Sequence, residues 1–88
     1  MFNTIEIKDT KQELGQLIKM VRKSRKLTQV EVASALAVSR NTIQNLESGK
    51  NFTIDTLLKV LKEFDLLERV YGEIVEVKRA IETTKSLY

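Results

Sequence analysis

The 88-residue sequence contains no cysteine, no histidine and no proline, and it has only three glycines. Without cysteine it cannot build a disulfide framework, a thiolate zinc site or a thiol nucleophile. Without histidine it lacks the commonest general base and the commonest metal ligand. We therefore expect a protein that is not an enzyme and that holds neither a metal ion nor a cofactor.

The lack of proline and the scarcity of glycine predict an all-α chain, because both residues disfavour helix interiors. With 42% hydrophobic residues, a chain of this length can bury one small core. No apolar run approaches the ~18 residues that a membrane span needs, and the N-terminus has no signal-peptide core. We expect a cytoplasmic protein without a membrane partner.

Charge is distributed unevenly along the chain. Residues 1–62 contain eleven Lys and Arg against six Asp and Glu, a balance of +5. Residues 63–88 contain four against six, a balance of −2. The basic first part is therefore the part expected to meet a polyanion.

The central stretch, residues 29–47, predicts two short helices. Its first apolar residues have helical spacing up to Leu36, and the pattern then restarts with Ile43 and Leu46. Ser39 lies between them and is a typical N-cap residue. This arrangement is typical of a helix-turn-helix. The polar side chains on the outer side of its second helix can pair with DNA base edges, which makes them candidate base readers: Arg40, Asn41, Gln44 and Asn45.

The flanking sequence predicts the remaining elements. Phe2, Ile5 and Ile7 alternate with polar residues, as in a short strand or extended arm, although a disordered terminus fits equally. Asp9 or Thr10 then caps helix one. The apolar face of this helix is expected to be Leu14, Leu17, Ile18 and Val21.

Two capping signals and a glycine set the next boundaries. Thr28 and Glu31 form a capping box for helix two, and Gly49 ends helix three. Phe52, Thr53 and Leu57 have the spacing of a hydrophobic staple for helix four. The buried face of helix four is expected to contain Ile54, Leu57, Leu58, Leu61 and Phe64.

The C-terminal segment repeats apolar residues at alternating steps of three and four. This heptad pattern predicts a fifth helix, whereas β-branched residues and Gly72 leave a strand as the alternative. The apolar surface exceeds what the small core can cover, so we expect the segment to mediate dimerisation. The residues expected to do so are Leu67, Val70, Ile74, Val77 and Ile81, with Thr84 and Tyr88 continuing the pattern.

The chain from about Leu14 to Leu67 resembles the Cro/CI-type (xenobiotic-response-element) helix-turn-helix domain of bacteria and phages. The resemblance is carried by IKMVRKSRKLTQVEVASAL, VSRNTIQNLESGKN and TIDTLLKVLKEF. It implies a compact, lambda-repressor-like domain of four or five helices, here with an extended N-terminal arm (1–9), the helix-turn-helix domain (10–65) and a dimerisation segment (66–88). It also implies a dimeric transcriptional regulator that binds double-stranded DNA.

The resemblance also implies roles for individual residues. Arg40, Asn41 and Asn45 match base-contacting positions, and Gln44 adds a base or phosphate contact. The residues expected to contact phosphate are Gln29, Ser39, Lys50 and Asn51. Arg22 and Glu47 match a structural ion pair. The chain departs from the family pattern at Ala37 and Lys26, where glycine is usual.

The function expected from these observations is a sequence-specific repressor that reads a palindromic operator as a homodimer. A narrower alternative is the antitoxin of a toxin–antitoxin operon, which would also bind a toxin protein. An alternative of another class is a protein-interaction module that uses the C-terminal segment.

Overall fold

The computed structural model describes residues 4–86, and this part of the chain contains helices and no strand. The helices are α1 (Ile7–Ser24), α2 (Gln29–Ala35), α3 (Arg40–Glu47), α4 (Ile54–Glu63) and α5 (Leu67–Ser86). The prediction of an all-α fold is therefore confirmed. Two predicted positions lie outside the described residues. They are Phe2, which the sequence assigns to the arm, and Tyr88, which the sequence assigns to the heptad pattern.

Helix α1 begins at Ile7. The sequence predicts a later cap, at Asp9 or Thr10. Glu6 is the N-cap residue, and its backbone N–H donates to Asp9 Oδ2 at 2.9 Å. The Thr10 hydroxyl donates to the Glu6 carbonyl at 3.3 Å and so belongs to the first turn. The expectation of an extended segment up to residue 9 is wrong for residues 7–9, because the Glu6–Asp9 capping pair starts the helix.

The first four helices end with one shared pattern of hydrogen bonds. After each helix, a residue with positive φ is followed by an N–H that donates to the carbonyl five residues earlier, as in a Schellman motif. For α1 this bond joins Leu27 N to Arg22 O at 3.1 Å, and for α2 it joins Val38 N to Ala33 O at 2.9 Å. The residues with positive φ are Lys26 (58°), Ala37 (56°), Gly49 (75°) and Asp65 (61°).

Lys26 and Ala37 thus adopt the left-handed conformation that glycine adopts most easily. A residue with a Cβ pays about 1–2 kcal/mol for this conformation. The residues that follow them, Leu27 and Val38, are half-buried against the core. Burial of these two side chains offsets part of the backbone cost.

The core lies where α1, α2, α3 and α4 meet. Its buried hydrophobic side chains are Ile18, Val32, Ala33, Ile43, Leu46, Val60, Leu61 and Phe64. Phe52 and Leu57 are half-buried against this cluster, and the Thr53 side chain accepts a hydrogen bond from Thr56 N at 3.2 Å. The predicted start of α4 is therefore confirmed.

Two side chains expected in the core are exposed. Ile54 is 70% exposed and Leu17 is 41% exposed. The buried side of α4 runs through Thr56 and Val60, and Thr56 is about 200° around the helix from Ile54. The buried residues of α1 are Gly15, Ile18 and Arg22. Leu17 lies at the edge of this side of the helix.

Helices α1 and α3 approach each other closely at Gly15. A Cβ atom at this position would lie 2.5 Å from the Glu47 carbonyl oxygen and 2.7 Å from that of Leu46. No atom other than hydrogen fits beside backbone at that distance. Gly15 therefore permits the close α1–α3 contact, although its position inside a helix is unfavourable in itself.

Arg25 joins the end of α1 to the end of α4. Its guanidinium donates to the Glu63 carbonyl at 3.1 Å and to Asp65 Oδ2 at 3.0 Å. It also lies over the Phe64 ring, 5.3 Å from the ring centroid. These contacts fix the turn from which α5 starts.

The C-terminal segment is a helix and not a strand. Helix α5 has 20 residues, includes Gly72, and packs against α4. Beyond Leu67 its heptad positions are exposed from Val70 to Ile81. Within residues 4–86, no helix has the length and apolar content needed to cross a membrane.

We predict opposite effects of alanine at two glycines inside helices. Gly15→Ala should lower the free energy of unfolding by about 1–3 kcal/mol, because the added methyl group overlaps the α3 backbone. Gly72→Ala, where a Cβ meets no atom within 4 Å, should raise it by about 0.5–1 kcal/mol. Urea unfolding measures both, and equal effects of the two variants would contradict the close contact at Gly15.

Candidate nucleic-acid interface

Both helices of the helix-turn-helix start at side-chain caps. The Thr28 hydroxyl accepts from Glu31 N at 3.1 Å, and Glu31 Oε1 accepts from Thr28 N at 2.8 Å, which completes the predicted capping box. The Ser39 hydroxyl accepts from Thr42 N at 3.1 Å at the start of α3. These local bonds set where α2 and α3 begin.

Helix α3 has one buried and one exposed side. Ile43 and Leu46 are completely buried, and Ile43 packs in the core with α2. Arg40, Asn41 and Gln44 are exposed, and Asn45 is half-buried at the edge. We call Arg40, Asn41, Gln44 and Asn45 the reading face. The structure brings all four predicted base readers onto this one side of α3.

An ion pair beneath the reading face connects α3 to α1. Arg22 Nε donates to Glu47 Oε2 at 2.5 Å, and Arg22 Nη2 donates to Glu47 Oε1 at 3.0 Å. The two side chains are only 9% and 4% exposed. Arg22 Nη1 also donates to the Leu27 carbonyl at 2.9 Å, so the guanidinium holds the chain that leads into α2. This fork-to-fork geometry fixes both distance and orientation.

Gln29 is the third member of this buried group. Its Nε2 donates to Glu47 Oε1 at 3.1 Å, and its side chain is half-buried. The sequence assigned Gln29 to a phosphate, whereas in the structure its amide also joins α2 to α3. A primary amide has two N–H groups and an oxygen, so one N–H and the acceptor remain for another partner.

The environment changes the acidity of Glu47. Burial alone would raise the pKa of this carboxyl, but hydrogen bonds from Arg22 and Gln29 and the positive charges of Arg22 and Lys19 outweigh burial and lower it below its ordinary value. The hydrogen bond to Glu47 likewise raises the pKa of Arg22. The pair is therefore ionised at neutral pH.

The expected phosphate contacts lie in different local settings. Ser39 is exposed and its hydroxyl caps α3, while Lys50 and Asn51 are exposed in the loop after α3. Asn51 Oδ1 accepts from Lys11 Nζ at 3.0 Å. The structure thus adds a cation from α1 to this loop. Sequence reasoning missed Lys11, because the two residues are 40 positions apart and no local pattern connects them.

A comparison with known proteins identifies the family to which this domain belongs. The sequence profile of the helix-turn-helix family matches residues 18–70, which is more than half of the chain. The chain belongs to the Cro/CI-type helix-turn-helix family. Members of this family bind DNA and regulate transcription, and they are generally not enzymes. The buried side of α3 and the capped turn described above are thus parts of a DNA-binding domain of the Cro/CI type.

A relative is similar over part of the chain. Over 51 residues, the chain is 39% identical to a protein of Methanocella arvoryzae named "Putative HTH-type transcriptional regulatory protein". The similar segment covers 58% of this chain but 16% of the relative's length. The similarity therefore concerns a small part of that longer protein.

We predict that the stability of the domain falls in acid partly through Glu47. Since its pKa is lower in the folded than in the unfolded state, the ionised carboxylate stabilises the fold above its unfolded pKa. That stabilisation disappears as the pH falls through the lower, folded pKa. Glu47→Gln should lower the free energy of unfolding at pH 7, and the difference from the unchanged protein should shrink on acidification.

Urea unfolding of both proteins between pH 7 and pH 3 measures this difference. A difference that stays constant over the whole range would show that the charge of Glu47 does not contribute.

Proposed function

We propose that the protein is a repressor that binds a palindromic operator as a homodimer, with α3 of each copy in the major groove. The observation that carries this proposal is the reading face, which is exposed on a helix whose opposite side is buried. An α-helix fits the major groove, where the four base pairs present different donor and acceptor patterns. A fixed helix is required, because base contacts tolerate little displacement.

The side chains of the reading face suit base recognition. An arginine such as Arg40 can bond both acceptors on the edge of guanine, and an asparagine such as Asn41 or Asn45 can bond the donor and acceptor of adenine. Each such pair discriminates by roughly 1–3 kcal/mol against a wrong base. Gln44 is exposed one turn after Arg40 and extends the set along the groove.

Phosphate contacts would position the reading face without selecting a sequence. We assign them to Gln29, Ser39, Lys50 and Asn51, and we add Lys11 because its ammonium group bonds Asn51. Lys11 and Asn51 together link α1 to the loop after α3, so a phosphate held there would contact two separate parts of the chain. Residues 1–62, which include all of these side chains, have a charge balance of +5. This positive charge supports the proposal that this part of the chain binds the DNA backbone.

One domain reads only one half-site, so two copies are needed for a palindrome. In helix-turn-helix dimers the two half-sites lie about 34 Å apart, one turn of the DNA. The exposed apolar heptad positions of α5, from Val70 to Ile81, would form the surface on which the copies pair. Repression would then follow from occupancy of a promoter.

We predict that Arg40→Ala with Asn45→Ala removes sequence-specific binding without unfolding the domain, since Arg40 is exposed and Asn45 is half-buried. An operator is first selected from random double-stranded DNA with the full chain. Specific affinity measured by gel shift at one stated salt concentration should fall at least about a hundredfold. Arg79→Ala, a change of the same charge on α5, is the matched control and should leave affinity unchanged.

The same experiment separates base from phosphate contacts. Lys11→Ala and Lys50→Ala should weaken binding to operator and random DNA alike, and each should reduce the slope of log affinity against log salt by about 1. If the selection enriches no sequence, or if the double substitution on the reading face leaves operator affinity intact, the proposal is wrong.

The exposed apolar side of α5 also supports a second candidate, in which this helix binds another protein, such as a toxin if the chain is an antitoxin. The two candidates respond differently to substitution. If regulation in cells survives changes at Arg40 and Asn45 but is lost with Ile74→Asp and Ile81→Asp, the working surface is α5 and DNA is not the target.

A further inference from the structure

Helix α5 carries an apolar stripe that the rest of the described chain does not cover. Its exposed members are Val70 (36%), Ile74 (56%), Val77 (51%) and Ile81 (53%), and the half-buried Leu67 begins it. A 20-residue helix is about 30 Å long, and from residue 68 to residue 85 its side chains are exposed apart from the half-buried Val75. The stripe is therefore available over most of the length of the helix.

The charged residues beside the stripe are arranged asymmetrically. In the heptad notation abcdefg, the stripe occupies positions a (Leu67, Ile74, Ile81) and d (Val70, Val77). Glu73 then occupies a g position and Lys78 an e position, five residues apart. In a coiled coil these are the two positions that flank the seam and pair between helices.

We propose that α5 pairs with α5 of a second copy as a parallel, in-register coiled coil, and that Glu73 and Lys78 set this direction. The inference rests on the homodimer proposed above and specifies its surface and geometry. In a parallel pair, a g residue lies next to the e residue five positions later in the other helix. Glu73 of each copy then meets Lys78 of the other, which gives two equivalent ion pairs, one on each side of the seam.

An antiparallel pair would leave these charges without partners. With the stripes in full overlap, Val70 faces Ile81 and Ile74 faces Val77 of the other helix. Glu73 would then lie beside Ala80, and Lys78 beside Tyr71. Sliding the helices by one heptad in either direction brings Glu73 next to Glu73, or Lys78 next to Lys78, of the other copy. Charge thus favours the parallel pair over each antiparallel register.

The contacts within one copy are consistent with this assignment. Glu73 and Lys78 are exposed, and neither forms an ion pair within residues 4–86. By contrast, Glu76 and Arg79 bond each other at 3.1 Å. These two residues occupy c and f positions, on the side of α5 away from the stripe. The charges beside the stripe are therefore the ones left for a partner helix.

Parallel pairing has a consequence for DNA binding. Both copies of α5 would run in the same direction away from α4, so both DNA-binding domains would lie at the same end of the coiled coil. The twofold axis would run along the coil and between the two reading faces. This is the symmetry that an inverted repeat presents.

A crosslinking experiment tests the direction directly, because the chain contains no cysteine. In a parallel pair the two copies of residue 70 face each other, so full-length Val70→Cys protein should oxidise to a disulfide-linked dimer. In the overlapping antiparallel pair these residues are about 16 Å apart, beyond the reach of a disulfide. In that antiparallel pair residue 70 faces residue 81, so a mixture of Val70→Cys and Ile81→Cys chains would crosslink only as a heterodimer. Such a heterodimer, without crosslinking of Val70→Cys to itself, would overturn the proposal.

A charge-reversal experiment tests Glu73 and Lys78 themselves. Glu73→Lys and Lys78→Glu should each weaken the dimer about tenfold in sedimentation equilibrium, because two attractions become two repulsions. A mixture of the two variants should form heterodimers with the original affinity, and native mass spectrometry can count them. The matched controls are Glu82→Lys, at a b position, and Lys85→Glu, an e residue that would meet Ala80.

The outcomes separate this inference from the wider proposal. A chain that stays monomeric without DNA and on the operator would overturn both the homodimer and its geometry. A dimer that forms but does not crosslink through residue 70, or that ignores charge reversal, would overturn only the parallel pairing. Homodimeric crosslinking at residue 70 together with preferred heterodimers of the two charge variants would support it.

Discussion

The structure depends on one buried interaction, the ion pair between Arg22 and Glu47. Two opposite charges under the reading face would each cost several kcal/mol if left alone in the core. Here Arg22 bonds both carboxylate oxygens and a backbone carbonyl, and Gln29 bonds the carboxylate as well. The group therefore contains a residue from each of α1, α2 and α3, and it is satisfied only when all three helices are in place.

That requirement links stability to the position of the reading face. Gly15 lets α1 approach the α3 backbone at Leu46 and Glu47, next to the carboxylate that Arg22 holds. Ile43 and Leu46 close the remaining space under α3. The outer side of the same helix is left with polar residues and few internal contacts. A DNA-binding domain of the Cro/CI type thus separates the residues that fix the helix from those free to meet bases.

The sequence predicted what local patterns determine. The capping box at Thr28 and Glu31, the stop at Gly49 and the start of α4 at Thr53 are confirmed, because each depends on residues within a few positions of one another. The four members of the reading face were predicted because helical periodicity assigns each residue to a side. Their binding roles stay predictions until a DNA complex or binding measurement tests them.

Contacts between distant residues could not be predicted in the same way. Nothing near Gly15 in the sequence indicates that α3 backbone lies against it, and nothing near Lys11 or Arg25 indicates Asn51 or Asp65. Ile54 was expected in the core because its periodicity fits, but the packing of α4 selected the side through Thr56 and Val60. Periodicity gives a stripe, and tertiary packing decides which edge of that stripe is buried.

The most direct test of this account is a double-mutant cycle on Arg22 and Glu47, with unfolding free energy as the measured quantity. The cycle uses Arg22→Ala, Glu47→Ala and the double variant in a Gly72→Ala background, which should offset about 0.5–1 kcal/mol of the loss in the single variants. If one interaction joins the two residues, the double substitution costs less than the two single costs combined, by more than about 2 kcal/mol. Costs that add to within about 0.5 kcal/mol would contradict the account.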